Sequence, residues 1–135
     1  MSRLSCLIIE TDQEAIRQID ILSKRIGAIE VRWKTHSVQT GIDIIRMHLP
    51  EMVIVGLGPT PEPAIASISM MAKDFPFLYL VALSDRTDSD LILRTIRAGA
   101  HDYLCKPVKE IDLRAAAEKA SKLKATRKES GGRGG

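Results

Sequence analysis

Glu10, Asp12, Ser84 and Lys106 are the polar residues whose types and settings in the chain can do chemistry. Lys106 closes a short stretch, Asp102-Tyr103-Leu104-Cys105, and is followed by Pro107. Proline lacks a backbone donor and holds the preceding residue extended. This lysine is therefore fixed near a strand's carboxyl end with its ammonium aimed at something beside it. Glu10 and Asp12 flank Thr11 directly after an apolar run, Leu4 to Ile9. An ammonium and two carboxylates at strand ends most simply make a structural ion pair. Lys106 with Ser84 could instead hold a small anion. Glu10 and Asp12 are the candidates for a metal, but a hard cation wants more oxygens than they supply. Acids here also suit a helix N-terminus, whose partial positive charge attracts them.

Other chemistry is poorly provided for. Ser84 has no base beside it in sequence, so no nucleophile-base pair is present and a non-enzymatic role is expected. Gly56-Leu57-Gly58 lacks the Gly-Lys-Ser/Thr of a phosphate-binding loop, and the prolines at 59, 61 and 63 make it a plain rigid loop. His36, His48 and His101 sit on separate elements without ligand spacing and are expected at the surface. Cys6 and Cys105 form no metal or redox spacing, which fits reduced thiols in the cytoplasm; Cys105 is expected to be buried and inert.

The elements that must position these residues follow from periodicity. Leu4 to Ile9 reads as a strand. Thr11 with Glu14 fits a capping box opening a helix that carries Ala15, Ile16, Ile19, Leu22 and Ile26 inward and ends at Gly27. Ile29, Val31 and Trp33 alternate with Glu30, Arg32 and Lys34, as on a strand with one charged face. Val38 to Leu49 reads as a helix with Ile42, Ile45 and Leu49 inward, stopped by Pro50. Met52 to Val55 is a third strand, Gly56 to Pro63 a loop, and Ala64 to Ala72 a helix. Phe77 to Leu83 is a continuous apolar run, as expected of a central parallel strand. Leu91 to Ala98 is a helix capped by Gly99, and the last helix runs from about Lys109 to Lys124. Strictly alternating strands and helices imply an α/β fold, a parallel sheet with helices on both faces.

The 135 residues suit one domain and a tail, with 44% apolar and 27% charged residues. No apolar run approaches the roughly 18 to 20 residues of a membrane span. The net charge of +3 is concentrated at the C-terminus. From Lys119 onward six cations face only Glu129, which leaves the rest of the chain at −2. No aromatic residue is interleaved with this basic end, so nucleic acid is not the expected partner. Residues 1–124 are expected to form the domain and 125–135 a flexible, basic, Gly-rich linker or tail, cut from a longer protein just before its next domain.

The run Ala98-Gly99-Ala100-His101-Asp102-Tyr103-Leu104-Cys105-Lys106-Pro107 resembles the signature before the last helix of CheY-like response-regulator receiver domains. The resemblance covers nearly the whole chain. It implies the flavodoxin-like strand order 2-1-3-4-5, with a crevice at the carboxyl ends of the first and third strands. It implies that Lys106 is the family's lysine, Tyr103 its switch aromatic and Ser84 its Ser/Thr after the fourth strand. Glu10 and Asp12 fall in the acidic region that binds magnesium in the family, with Thr11 on one of the two usual acid positions. At the phosphoacceptor position stands Gly56, which has no side chain to phosphorylate.

The resemblance therefore implies a pseudo-receiver, the fold of two-component phosphorelay proteins without their chemistry and with no cofactor. Its docking surface would be the fourth helix, fifth strand and fifth helix, carrying Leu91, Arg94, Arg97, Tyr103, Lys109, Asp112 and Arg114, for a protein partner or a homodimer. Tyr103 could stand outward there or lie half-buried on its neighbouring helix. Gly56, His101-Asp102-Tyr103 and the Lys/Arg/Gly tail are similar to the N-terminal domain of CpaE/TadZ-type pilus-assembly proteins, which implies a ParA/MinD-like ATPase after the linker and a role in assembly or polar localisation. The alternatives are a phosphorelay receiver with a displaced acceptor, Asp12 or Asp85, and a regulatory domain sensing a small anion at Lys106 and Ser84.

Overall fold

The structure, a computed structural model, describes residues 3–133, with side chains as far as Thr126. Strand and helix alternate in the order β1 (Leu4–Ile9), α1 (Gln13–Ile26), β2 (Ile29–Thr35), α2 (Val38–His48), β3 (Met52–Gly56), α3 (Pro61–Asp74), β4 (Tyr79–Ser84), α4 (Ser89–Ala98), β5 (Asp102–Cys105) and α5 (Glu110–Arg133). The strands form one parallel sheet in the order β2-β1-β3-β4-β5.

Successive side chains of a strand point to opposite faces, and here both faces are apolar because helices cover both. Cys6, Ile8, Met52, Ile54, Tyr79, Val81 and Leu83 pack with α1 and α5. Leu7, Ile9, Val53, Val55, Leu80 and Ala82 pack with α2, α3 and α4. The doubly covered strands β1, β3 and β4 sit at the centre. β2 is an edge strand, with Glu30, Arg32 and Lys34 exposed.

Several boundaries differ from the sequence reading, each for a local reason. Asp12, not Thr11, caps α1: its Oδ1 accepts from the amides of Glu14 at 3.1 Å and Ala15 at 3.4 Å. α3 begins at Pro61, inside the expected loop, because proline at a first helical position needs no amide partner. β4 begins at Tyr79, leaving Phe77 exposed in the turn before it, where the Leu78 amide donates to the Phe75 carbonyl. α2 ends at His48, and Leu49 is exposed rather than inward, in left-handed backbone at φ 51 and ψ 58. That conformation costs a leucine about 1–2 kcal/mol. The helical backbone of α5 continues past Lys124 to Arg133; Ala125, Arg127, Lys128 and Glu129 are good helix formers, whereas Ser130, Gly131 and Gly132 are not. Of the expected tail, Gly134 and Gly135 lie outside the described residues.

Gly99 ends α4 at φ 132, and a Cβ there would stand 2.5 Å from the Cβ of Ala72 on α3. Glycine is required here both by the backbone angle and by the close packing of α3 against the α4 turn.

Candidate functional site

At their carboxyl ends, β1, β4 and β5 deliver Glu10, Ser84 and Lys106 to one polar cleft of about 190 Å³, which Thr11, Asp12, Gly58, Pro59 and Asp85 complete. Parallel strands all end on the same side, which is why residues nearly a hundred positions apart meet there. Lys106 follows a backbone bond from its own amide to the Ser84 carbonyl at 2.8 Å and precedes a cis peptide to Pro107. Its Nζ lies 3.0 Å from Glu10 Oε1 and 3.3 Å from Asp12 Oδ2.

Glu10 is only 4% exposed. Its Oε2 accepts from the amides of Thr11 at 2.7 Å and Asp12 at 3.1 Å, so the carboxylate is bent back over the end of its own strand. Its Oε1 meets Lys106 by distance but off the line of a hydrogen bond. The amides and the nearby ammonium supply the polar partners that a buried carboxyl group needs.

Gly56, at the end of β3, explains the bend. A Cβ on residue 56 would stand 2.4 Å from Glu10 Oε1, 2.6 Å from Cδ and 2.8 Å from Oε2. The Glu10 carboxylate occupies the space that a side chain at position 56 would need. The carboxylate at this corner of the cleft thus comes from the residue that follows β1. Sequence reasoning identified Gly56 and Glu10 separately but not their contact, since nothing in the spacing reveals that one fills the other's void.

Electrostatics follows from these contacts. The amide of Ala15, with Lys106 and the amide of Glu14, holds the Asp12 carboxyl below its ordinary range. Partial burial works against the charged form of Lys106, but Glu10 and Asp12 outweigh it and raise its pKa. The residues do not fit a divalent cation: Lys106 stands between the two acids, one oxygen of Glu10 is taken by amides, and no group of three or more His, Cys, Asp or Glu is gathered among the described residues. An anion gains little from an ammonium already shared by two carboxylates. Ser84 is buried, with its hydroxyl oxygen accepting from the Arg86 amide at 3.1 Å. Leu57 is likewise buried, its amide spent on the Leu83 carbonyl, so no phosphate cradle forms.

Tyr103 lies half-buried against the α2, α3 and α4 side of the core, and its hydroxyl donates to the Arg86 carbonyl at 2.8 Å. Burial pushes its pKa up. Cys105, expected to be buried, is partly exposed, with Sγ 3.9 Å from the same carbonyl. His101 is exposed as expected, but its ring has structural contacts: it stacks on Tyr79 at 4.9 Å, and its Nδ1 accepts from the Leu80 amide at 3.0 Å.

Leu91, expected on the docking face, is 1% exposed and belongs to the core, because α4 turns Leu91 and Thr95 inward. Arg94, Arg97, Lys109, Asp112 and Arg114 are exposed, Arg114 held by Glu110 at 2.9 Å. The apolar residues that α4 exposes are instead Leu93 and Ile96, with Ile111 on α5. They fall off the 91/95 stripe, a signal the helical period contained.

No family model matches the chain. It is similar to the transcriptional regulatory protein MctR of Rhizobium johnstonii, with 23% identity over 116 residues, 86% of this chain and 54% of that protein; the chain spans about half the length of this curated relative. A response regulator from Thermotoga maritima superposes with TM-score 0.78 at 21% identity, covering 92% of this chain and 99% of that one. A putative pilus assembly-related protein from Burkholderia pseudomallei superposes with TM-score 0.79 at 16% identity, covering 89% and 90%. With five parallel strands in the order 2-1-3-4-5 between two helical layers, the chain has the flavodoxin-like fold of CheY-type response-regulator receiver domains.

Proposed function

We propose that this chain is a pseudo-receiver, a non-catalytic domain that works by binding protein without being phosphorylated. The observation that carries the reading is the Glu10 carboxylate seated where a side chain at residue 56 would stand and paired with Lys106. A phosphoryl acceptor is missing from the end of β3, and the lysine that would meet a phosphoryl group is already neutralised. Similarity to a putative pilus assembly-related protein supports a role in pilus assembly; polar localisation, a cytoplasmic setting and a neighbouring ParA/MinD-like ATPase domain are proposed from the sequence resemblance alone.

The partner surface proposed is α4, β5 and α5, carrying Arg94, Arg97, Leu93, Ile96, Lys109, Asp112, Ile111 and Arg114. Tyr103 supports this face from below by holding the Arg86 carbonyl. Exposed apolar side chains among arginines are the composition of an interface core, where a homodimer or a foreign protein would dock.

Amide NMR spectra with magnesium and beryllofluoride test the chemistry. The expected result is no shift in residues around Glu10, Ser84 and Lys106, and no mass increase after treatment with acetyl phosphate. Labelling at Asp12 or Asp85 would establish a displaced acceptor and overturn the reading. Molar mass by light scattering across a concentration series tests the surface: a reversible dimer weakened by Arg97→Glu or Ile96→Asp is expected. A dimer indifferent to both changes would place the contact elsewhere.

A further inference from the structure

β5 is four residues long and first pairs with β4 through Asp102, opposite Val81. The residues before it are committed to ending α4: the Gly99 amide donates to the Ile96 carbonyl at 3.0 Å and the Ala100 amide to the Thr95 carbonyl at 3.3 Å. Leu80, one residue earlier in β4, is fully buried and turns both its backbone groups toward this gap. Its carbonyl accepts from the His101 amide at 2.7 Å. Its amide donates to Nδ1 of the His101 ring at 3.0 Å, so an imidazole nitrogen stands where a longer β5 would offer a carbonyl. The ring is held there by stacking on Tyr79, with centroids 4.9 Å apart and planes 19° from parallel.

Only one form of the imidazole can make this bond. Accepting at Nδ1 requires the neutral ring with its proton on Nε2. In the protonated ring both nitrogens donate, and a second donor would face the Leu80 amide. A buried amide without an acceptor is costly, so the ring must then leave and water must enter. The titratable groups around the ring leave this conflict in place. Tyr79, from β4, is pushed up to about 12 by burial and then by Asp102, and stays neutral. Asp102, on β5, favours a protonated ring, but its carboxylate accepts from the Tyr103 amide at 2.9 Å and is paired at 3.4 Å with Lys119 of α5, whose charge opposes it. The α4 turn contributes Ala98, Gly99 and Ala100, none of them titratable.

We propose that His101 is a pH-sensitive latch. As a neutral imidazole it closes the α4–β5 turn onto β4; protonated, it releases Leu80 and lets the turn open. Histidine ordinarily titrates at about 6.5. The closed latch needs the neutral form, so its contribution is present above that value and is lost as pH falls below it. α4 and β5 meet at this turn, so opening it loosens the face made by α4, β5 and α5. Any bearing on partners rests on the proposal that this face is an interface; the latch is read on the domain by itself.

The test is NMR of the 135-residue chain, wild type and His101→Asn, from about pH 7.5 to about pH 5. Asparagine offers an acceptor oxygen in place of Nδ1 and does not titrate. In the wild type, the ring nitrogen shifts at neutral pH are expected to show the Nε2–H tautomer, and the Leu80 amide to shift with the same midpoint as the His101 ring. Hydrogen-exchange protection of the Leu80 amide should fall by about tenfold on protonation. Both responses of Leu80 should vanish in His101→Asn. His36 and His48 titrate in the same range, but their partners are Gln13 and Trp33, and reading the Leu80 amide separates them from the latch. An Nδ1–H tautomer at neutral pH overturns the proposal. So does a Leu80 amide whose shift and protection do not follow the His101 titration, and neither result depends on the variant folding. A Leu80 response that persists in His101→Asn overturns it as well.

Discussion

The contact between Glu10 and Gly56 makes a quantitative prediction for Gly56→Ala. The backbone of Gly56 is not in the left-handed region, so an alanine meets no obstacle from φ. In a strand, alanine in place of glycine ordinarily gains roughly 0.5–1 kcal/mol. The new methyl, however, stands 2.4 Å from Glu10 Oε1 and forces the carboxylate to move. Moving it sacrifices at least part of the amide bonds at 2.7 and 3.1 Å and of the 3.0 Å contact to Lys106. Hydrogen bonds to a charged group contribute about 1.5–3 kcal/mol each, so a loss near 2 kcal/mol outweighs the gain. Gly56→Ala should therefore destabilise the domain by roughly 1–1.5 kcal/mol. In a Glu10→Ala background the same change should be neutral or stabilising, with a coupling of about 2 kcal/mol between the sites. Urea denaturation of the four proteins of this cycle measures it. If the effects of the two substitutions add to within about 0.5 kcal/mol, the carboxylate does not depend on the glycine and the reasoning fails.

Other expectations follow from the same contacts. Lowering pH should cost stability through Asp12 and Glu51. Burial of Glu51 opposes its charge, but Lys124 and Ser5 hold its carboxyl below 4.5, and Asp12 lies below 3.8. Their contributions are present above those ordinary values and disappear as pH falls through the lowered folded ones. Urea midpoints against pH should show this dependence reduced in Glu51→Gln. At the alkaline end, Lys106 contributes fully below 10.5 and its contribution is lost as pH rises through its raised pKa. A thiol reagent at mild alkaline pH should modify Cys105 and spare Cys6 in the native state, because complete burial pushes Cys6 up to about 12. Two equivalents reacting rapidly would contradict that burial. Gly99→Ala should destabilise by about 2–4 kcal/mol in thermal or urea melts, since backbone angle and the Ala72 contact both oppose it.

The fold was legible in the sequence because its signals are local and repeated. Apolar runs bounded by turn residues mark β1, β3 and β4, and the stripes Ala15-Ile16-Ile19-Leu22 and Leu113-Ala116-Ala117-Ala120 mark helices. The errors came where neighbours in space decide. Leu49 continues the α2 period in sequence, yet Pro50 ends the helix and swings that side chain out. Phe77 extends the apolar run of β4 but pairs with Phe75 instead of a strand. Leu91 opens α4 and looked available, although it turns into the core. At the site, residue types could be read one at a time. The seating of the Glu10 carboxylate over Gly56 is a property of two distant positions in contact.

That contact has a consequence for substitution. A single base change interconverts glycine and aspartate codons, so an acid at position 56 is close in genetic distance. It is far in structural terms, because Glu10 fills the space and has partners of its own in the Thr11 and Asp12 amides and in Lys106. An aspartate arriving at 56 would find the space full and a like charge in it. A change at Glu10 would have to come first, so a substitution that is near at the level of the gene is barred at the level of the fold.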